Sequence, residues 1–178
     1  MVLGKPCPLF DGKATVAEYL DEIGVPHIKI RMSYYYTNFV ICPYERNEED
    51  GSYTMTWSMN GPLYTMSVKD LGPAVASVLK ECDRYMGKTV GLCGDRMTMG
   101  EHAAIISEFT GKKLTYKQVS EEEFVCGFPY PAADCVATMF EFFEKGNPVR
   151  DMELTRVLNP KVPSFRQWAE KNKDKLLA

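Results

Sequence analysis

Short segments with the periodicity of helices and of strands alternate along the whole length of this chain. Residues 28–32 read Ile-Lys-Ile-Arg-Met, in which apolar and cationic side chains point to opposite faces of a strand. Residues 14–23 instead repeat apolar side chains at the three- and four-residue spacing of one helical face. Helices are predicted over 14–23, 71–79, 98–110, 131–145 and 164–177, and strands over 28–32, 53–59, 63–67, 89–93 and 114–119. This order of elements predicts an α/β architecture.

Two local patterns mark boundaries between these elements. Thr98 and Glu101 have the spacing of a capping box, so Thr98 is predicted to begin a helix that Gly111 ends. Residues 60–62, Asn-Gly-Pro, form a turn sequence between the strands predicted over 53–59 and 63–67. We therefore expect those two strands to pair as a hairpin.

The composition limits the classes of partner. A chain of 178 residues that is 45% hydrophobic is long enough to form one globular domain with its own core. Its formal net charge is -3, whereas proteins that bind nucleic acid concentrate lysine and arginine, so no nucleic-acid partner is predicted. The chain has no apolar run of membrane-spanning length. We expect a protein without a membrane partner, located in the cytoplasm and also, as a second location, in the nucleus.

The cysteines and histidines do not form a metal-binding pattern. The chain has six cysteines and two histidines, and no two cysteines are separated by two residues as in zinc or redox motifs. No metal site is therefore predicted, and the cysteines are expected to be free thiols in a reducing compartment. Whether a thiol such as Cys42 is redox-active depends on its exposure and local charge, which the sequence does not contain.

The known motifs for nucleotide binding and nucleophilic catalysis are incomplete in this sequence. No glycine-rich turn with dinucleotide-binding spacing joins a strand to a helix, and Gly87-Lys88-Thr89 lacks the earlier glycine of a P-loop. Neither histidine has a serine or cysteine neighbour in a catalytic arrangement. His27 and His102 are therefore predicted to be structural, with His102 at the surface of its helix or half-buried.

Two positions remain as candidates for ligand binding. Lys13 stands near the start of the first helix, where its ammonium group could lie beside a phosphate, ribose or carbonyl. Residues 35–38, Tyr-Tyr-Thr-Asn, follow the predicted strand 28–32, and open α/β sheets bind ligands at the carboxyl ends of their strands. Ordinary packing is the alternative explanation for both positions.

Motifs of one known family occur in the same order along most of the chain. They include residues 10–13 (Phe-Asp-Gly-Lys), 66–73 (Met-Ser-Val-Lys-Asp-Leu-Gly-Pro), 158–161 (Leu-Asn-Pro-Lys) and 167–168 (Gln-Trp). On these residues the chain resembles the NmrA-like family of atypical short-chain dehydrogenase/reductase relatives. The resemblance extends over about residues 10–172, and colinear matching of this length is specific.

This resemblance implies the C-terminal part of an NmrA-like Rossmann-type fold, with an incomplete parallel sheet and a smaller α/β region. Residues 1–178 would form a single truncated domain, in which about 10–42 end the Rossmann unit and about 53–178 form the C-terminal region. In the family, NADP(H) lies between these parts. The residues that the resemblance assigns to cofactor binding are Lys13, Tyr35, Tyr36, Thr37 and Asn38.

The chain also departs from the family pattern. The glycine-rich turn and the residues that read the 2′-phosphate belong to an N-terminal half of the family fold that has no counterpart in this sequence. Leu9 stands four residues before Lys13, where a proton relay would require a tyrosine. We therefore expect weakened affinity for NADP(H), no catalytic residue, and an unpaired edge on the strand 28–32.

These features lead to one leading hypothesis and two alternatives. The leading hypothesis is a redox-sensor-type regulator of transcription that binds NADP(H) weakly and acts through protein partners, a second copy of the chain included. The first alternative is an NAD(P)H-dependent reductase of quinones or other carbonyl compounds. The second is a truncated product with little independent function.

Overall fold

A computed structural model describes residues 3–128, 131–145 and 150–178. The helices are α1 (Pro8–Glu22), α2 (Asn38–Ile41), α3 (Leu71–Lys80), α4 (Cys82–Tyr85), α5 (Met99–Thr110), α6 (Glu121–Gly127), α7 (Ala133–Lys145), α8 (Met152–Leu158) and α9 (Phe165–Asn172). The strands are β1 (Lys29–Arg31), β2 (Tyr34–Tyr35), β3 (Glu45–Arg46), β4 (Tyr53–Trp57), β5 (Leu63–Met66), β6 (Thr89–Gly91), β7 (Asp95–Met97) and β8 (Leu114–Gln118). Single 3₁₀ turns occupy Val68–Asp70 and Lys173–Lys175.

The strands form three small sheets that rely on parallel pairing. Strand β1 pairs with β6, the order β2-β5-β7 forms a second sheet, and the order β3-β4-β8 forms a third. The pairs β1·β6, β2·β5 and β4·β8 are parallel, and each is connected through helices. The predicted α/β fold class is thus confirmed.

The predicted hairpin between β4 and β5 is wrong, because the two strands belong to different sheets. The carbonyl of Trp57 at the end of β4 accepts hydrogen bonds from the Val119 amide (3.1 Å) and the Tyr116 hydroxyl (3.3 Å). These bonds hold β4 against β8. The turn sequence does redirect the chain at Gly61, but it sends β5 to pair with β2 and β7.

The predicted ends of α5 are confirmed by its capping interactions. The hydroxyl of Thr98 accepts a hydrogen bond from the Glu101 amide, and the Glu101 carboxylate accepts one from the Thr98 amide at 2.7 Å. At the other end, Gly111 has φ +68°, a left-handed conformation that glycine adopts without steric cost.

Helix α1 begins at Pro8, six residues before the predicted start at residue 14, because a proline is well suited to the first turn of a helix. Its apolar face is largely uncovered: Val16 is 60% exposed, Tyr19 58% and Ile23 49%. The N-terminal turn is the better packed part, since the Phe10 ring lies 5.0 Å from that of Phe142 on α7.

The edge of β1 opposite β6 is unpaired within the described ranges, as predicted. Parallel strands are normally covered on both sides by neighbouring strands and helices. An open edge on β1 and an uncovered face on α1 therefore occur together, on consecutive elements of the chain.

Two hydrophobic cores hold these elements together. The smaller core packs Ile30 of β1, and Ile28 just before it, against α3 and α8. The larger core is rich in aromatic rings and joins β4, α5, α7 and α9. The division of the chain into 10–42 and 53–178 stays a prediction.

His102 lies inside the larger core, so the expectation that it is at the surface or half-buried is wrong. Its side chain has no exposed area. The buried residues of α5 are Met99, His102, Ala103 and Ile106, which follow the spacing of one helical face. The sequence position of His102 on that face, rather than its polarity, determines its burial.

No helix in residues 3–128, 131–145 and 150–178 combines the length and apolar character needed to cross a bilayer.

Candidate functional site

A cavity of about 1340 Å³ lies where α1, β1, β2 and α7 meet. Apolar side chains form much of its wall, including Phe10 of α1, Tyr34 of β2, Trp57 of β4, and Phe140, Phe142 and Phe143 of α7. The open edge of β1 and the inner side of α1 border the same space. Large apolar cavities that contain a few polar groups are the usual sites of small-molecule binding.

Lys13 lies at this cavity and is exposed. Its Nζ donates a hydrogen bond of 2.9 Å to the carbonyl oxygen of Leu9, one turn earlier on α1. Leu9 thus offers Lys13 a backbone acceptor, where a proton relay would require the hydroxyl of a tyrosine. The arrangement holds a positive charge at the cavity wall, beside a backbone carbonyl.

The structure divides the predicted segment 35–38 into residues that reach the cavity and residues that do not. Tyr35 and Asn38 line the cavity together with Lys13. Thr37 is exposed at the start of α2, outside the cavity lining. Side chains of consecutive residues point in different directions, so four successive residues could not all face one space.

Tyr36 instead packs in the aromatic core and has no exposed area. Its ring centroid lies 5.3 Å from that of Phe165 and 5.4 Å from that of Trp168, and its hydroxyl donates to the Pro163 carbonyl at 3.2 Å. Burial raises the pKa of Tyr36. A Cβ at Gly94 would lie 2.7 Å from the Tyr36 hydroxyl, so the absence of a side chain there makes room for this ring. The position of Tyr36 indicates a packing role. Tyr36 does not line the cavity, so no contact seen in the structure supports its assignment to cofactor binding.

A group of cations that the sequence pattern did not predict as site residues also lines the cavity. Lys29, Arg31 and Arg150 are among its lining residues. Lys29 and Arg31 share the face of β1 that is turned away from the smaller core, and the alternation in residues 28–32 already contained that information. Lys29 forms an ion pair with Asp21 of α1, and His27 Nε2 lies 3.4 Å from the same carboxylate.

Among the described side chains, those of histidine, cysteine, aspartate and glutamate are the possible metal ligands. In the part of the chain that the structure describes, no group of three or more histidine, cysteine, aspartate or glutamate side chains could hold a metal ion. The polar groups that line the cavity include ammonium, guanidinium, phenol and amide groups, together with the carboxylates of Asp11 and Glu18.

The six cysteines are free thiols in the structure, and burial makes two of them poor nucleophiles. Burial raises the pKa of Cys42, at the cavity, to about 12, and that of Cys93 to about 12. Because the thiolate is the reactive form, we expect iodoacetamide near neutral pH to alkylate the exposed Cys126 first. Cys42 and Cys93 should react only when the protein unfolds.

Mass spectrometry of the alkylated protein checks this expectation, and a Cys126→Ser variant identifies the fast site. Alkylation of Cys42 at the rate of Cys126 in the folded protein would contradict it.

The fold and the cavity together define an α/β protein of the Rossmann type, in which the cavity borders the parallel strands β1 and β2. The chain belongs to the NmrA-like family, whose model matches residues 5–170. The fold is accordingly the C-terminal part of an NmrA-like Rossmann-type fold, as the sequence resemblance implied.

Curated relatives share low sequence identity with the chain over more than half of its length. Festuclavine synthase I of Penicillium roqueforti is 24% identical over 169 residues, which are 90% of this chain and 58% of that enzyme. The nitrogen metabolite repression protein nmr of Neurospora crassa is 25% identical over 118 residues, which are 61% of this chain and 24% of that protein.

Solved structures share the fold. NmrA, a negative transcriptional regulator in complex with NAD, has a TM-score of 0.71 and 20% identity, covering 89% of this chain and 56% of that one. A quinone oxidoreductase of Escherichia coli, NADPH-dependent and complexed with NADPH, has a TM-score of 0.74 and 22% identity, covering 93% of this chain and 60% of that one. The chain thus spans less than two thirds of the length of the relatives it matches.

Proposed function

We propose that this chain is a regulatory protein of the NmrA type that binds NADP(H) weakly in the cavity between α1 and β1 and acts through protein partners. The observation that carries the proposal is the presence of Lys13, Tyr35 and Asn38 at one apolar cavity. NmrA, whose fold this chain shares, has been solved with NAD and with NADP. An ammonium, a phenol ring and an amide are groups that can hold a nicotinamide and its ribose.

Weak binding follows from the groups that the cavity lacks. A dinucleotide pyrophosphate is normally held by backbone amides of a glycine-rich turn at the start of a helix. No glycine is among the described residues that line this cavity. Within residues 3–128, 131–145 and 150–178, the cavity therefore offers positive side chains to the phosphates but no glycine-rich backbone cradle, and in this proposal that costs most of the affinity of a complete site.

The uncovered surfaces of α1 and β1 support action through a partner. They present an open parallel strand edge next to an exposed apolar helix face, in which Val16, Tyr19 and Ile23 are about half-exposed or more. An open edge of this kind is a template for pairing with a further strand. We assign this surface to a strand-and-helix unit equivalent to the part of the relatives that the chain does not span, because that unit would cover the edge and the helix face together.

Titration calorimetry with NADPH tests the cofactor site. We expect a dissociation constant in the range of tens to hundreds of micromolar, about −6 to −5 kcal/mol. Lys13→Met should weaken NADPH binding about fivefold to tenfold, because it removes the ammonium that donates a charge-assisted hydrogen bond to the cofactor in this proposal. Lys80→Met, at an exposed position of α3 outside the cavity, is the matched control and should bind as the unchanged chain does.

Sub-micromolar affinity for NADPH would overturn the proposal of a weakened site. Equal affinities of the Lys13→Met and Lys80→Met variants would remove Lys13 from the proposed cofactor site.

A redox sensor must also distinguish the two oxidation states of the cofactor, so the same titration with NADP⁺ should give a different dissociation constant from that of NADPH. In this proposal the protein works in the cytoplasm, with the nucleus as its second location.

A reductase of quinones or other carbonyl compounds is the second candidate. The aromatic wall formed by Phe10, Tyr34 and Phe142 favours it, since flat apolar rings suit the binding of a quinone. The carbonyl of Leu9 next to Lys13 disfavours it, because no hydroxyl stands there to donate a proton. Steady oxidation of NADPH with a quinone, lost in Lys13→Ala, would establish the reductase over the regulator.

A further inference from the structure

The open edge of β1 forms one wall of the cavity. Every residue from 27 to 35 lines the cavity, although successive side chains of a strand point to opposite faces. An unbroken run of lining residues therefore means that the backbone edge, and not one face of the strand, is turned towards this space. The far edge of β6 differs, because the Asp151 amide donates a hydrogen bond of 3.1 Å to the Gly91 carbonyl there.

The alternation of backbone groups assigns the donors and acceptors of this edge to Ile28 and Ile30. The Lys29 amide donates a hydrogen bond of 3.0 Å and the Arg31 carbonyl accepts one of 2.8 Å, each with a residue next to β6. The amides and carbonyls of Ile28 and Ile30 therefore point the other way, towards the cavity. Backbone groups at a strand edge need partners, and an added strand would supply them.

Arg150 marks where this edge ends. Its Nε and Nη2 donate hydrogen bonds of 3.1 Å and 2.8 Å to the carbonyl oxygen of Met32, the next acceptor on the edge after Ile30. A strand that paired here would therefore use Ile28 and Ile30 and stop before Met32. The available edge is about as long as β1 itself.

The side chains of β1 determine which kind of strand fits. Ile28 and Ile30 pack on the smaller core, and Lys29 and Arg31 lie on the opposite face. Lys29 is paired with Asp21, whereas Arg31 is exposed and has no ion pair in the part of the chain that the structure describes. Of the described residues that line the cavity, five are lysine or arginine and two are acidic. An acidic side chain beside Arg31 would therefore stabilise an added strand.

A second copy of the chain fits this edge poorly. Two β1 edges related by a twofold axis would pair in antiparallel orientation. Pairing centred on Ile30 would place Lys29 of one copy opposite Arg31 of the other. Like charges directly opposite each other destabilise a pair of strands, so the edge favours a different polypeptide.

We propose that this edge binds an extended acidic segment of a partner protein. The segment adds a strand beside β1, with apolar side chains towards the smaller core and an aspartate or glutamate beside Arg31. This inference rests on the proposed function, since it names the chemistry of the partner strand assigned to this surface. Strand addition takes its affinity from main-chain hydrogen bonds and its specificity from alternate side chains.

A capped peptide of about seven residues that alternates valine with glutamate is the probe, and the same peptide with lysine in place of glutamate is its control. We expect NMR titration at low salt to give a dissociation constant of about 0.1–1 mM for the glutamate peptide and at least about tenfold weaker binding of the lysine peptide. Hydrogen exchange of the Ile30 amide should slow on binding. The Lys29 amide is already hydrogen-bonded, so its exchange should change little.

Arg31→Gln should weaken binding of the glutamate peptide at least about fivefold, because it removes the cation beside the acidic side chain. Arg46→Gln removes an exposed arginine of β3 outside the cavity and should bind the peptide as the unchanged chain does. Equal losses in the two variants would overturn the proposal, since the effect would then reflect overall charge.

The absence of saturable binding up to roughly 5 mM glutamate peptide, or binding that leaves exchange of the Ile30 amide unchanged, would overturn strand addition. Equal affinities for the glutamate and lysine peptides would overturn the acidic partner. Slower exchange of the Ile30 amide at higher protein concentration, without peptide, would overturn the proposal in favour of a second copy. The peptides contain no nucleotide, so these failures are distinct from failure of the NADPH titration.

Discussion

Replacement of Phe39 by alanine is expected to lower the free energy of unfolding by about 3–5 kcal/mol, the usual cost of removing a buried aromatic ring. Phe39 has no exposed area, and its ring centroid lies 4.7 Å from that of His102, 5.0 Å from that of Phe165 and 5.9 Å from that of Trp57. These three neighbours belong to α5, α9 and β4. The loss of Phe39 would therefore leave a cavity at the point where three separate elements meet.

Urea unfolding followed by tryptophan fluorescence measures this effect, because Trp57 is one of the rings in contact. Ile41→Ala is the matched control on the same short helix, since Ile41 is 72% exposed and should change stability by no more than about 0.5 kcal/mol. Equal effects of the two substitutions would show that the aromatic core is not formed as described. A non-cooperative transition of the unchanged chain would favour a product with little independent structure over a folded regulator.

The parts of the fold that the sequence predicts correctly depend on local interactions. The capping box joins Thr98 to Glu101, three positions later, and the αL end of the same helix depends on the backbone conformation of Gly111 alone. Both patterns are therefore visible in the sequence. The pairing of β4 depends instead on β8, some sixty residues away. A turn sequence at residues 60–62 reports a change of direction and contains no information about which strand lies next to it.

The site shows the same division between local and distant information. Lys13 and Asn38 are candidates because they stand near a predicted helix start and after a predicted strand; the structure brings both to one cavity, with Lys13 inside α1 rather than at its start. Arg150 reaches that cavity through a contact with Met32, 118 residues earlier in the chain. No spacing rule predicts such a contact. The burial of Tyr36 likewise depends on packing against α9, far along the chain.

The sequence pattern correctly predicts that α1 is a helix with one apolar face. The pattern does not predict whether that face is buried. Val16, Tyr19 and Ile23 do share one helical face, and a face of this kind is ordinarily buried. In the structure it is largely exposed, and the strand that follows α1 has an open edge. A hydrophobic pattern records that a surface is suited to burial, but it does not record which polypeptide covers it.

His102 is expected to make the protein progressively less stable as the pH falls from about 6.5 to about 4. The ring is fully buried between aromatic side chains, with centroids 4.7 Å from Phe39 and 4.5 Å from Phe165. Its Nδ1 lies 2.8 Å from the Thr98 carbonyl, an acceptor, which assigns the proton to Nδ1. Burial is the main cause that lowers the pKa of His102 to about 4 in the folded protein.

The sign of the effect follows from proton uptake in the two states. The unfolded chain binds a proton at His102 below pH about 6.5, whereas the folded protein stays neutral there until about pH 4. Stability from the neutral ring is therefore fully present above pH 6.5 and is lost as the pH falls through that window. The difference between the two pKa values corresponds to a loss of about 3 kcal/mol by pH 4.

Urea unfolding of the unchanged chain and of His102→Gln across this range of pH isolates the contribution of the ring. Carboxylates titrate in both proteins, so the informative quantity is the difference between their free energies of unfolding, which should shrink by up to about 3 kcal/mol as the pH falls. His27→Gln removes the other histidine and leaves His102 in place, so it should retain the steeper dependence. A difference that stays constant from neutral pH to pH 4 would mean that the imidazole of His102 is not held neutral by the aromatic core.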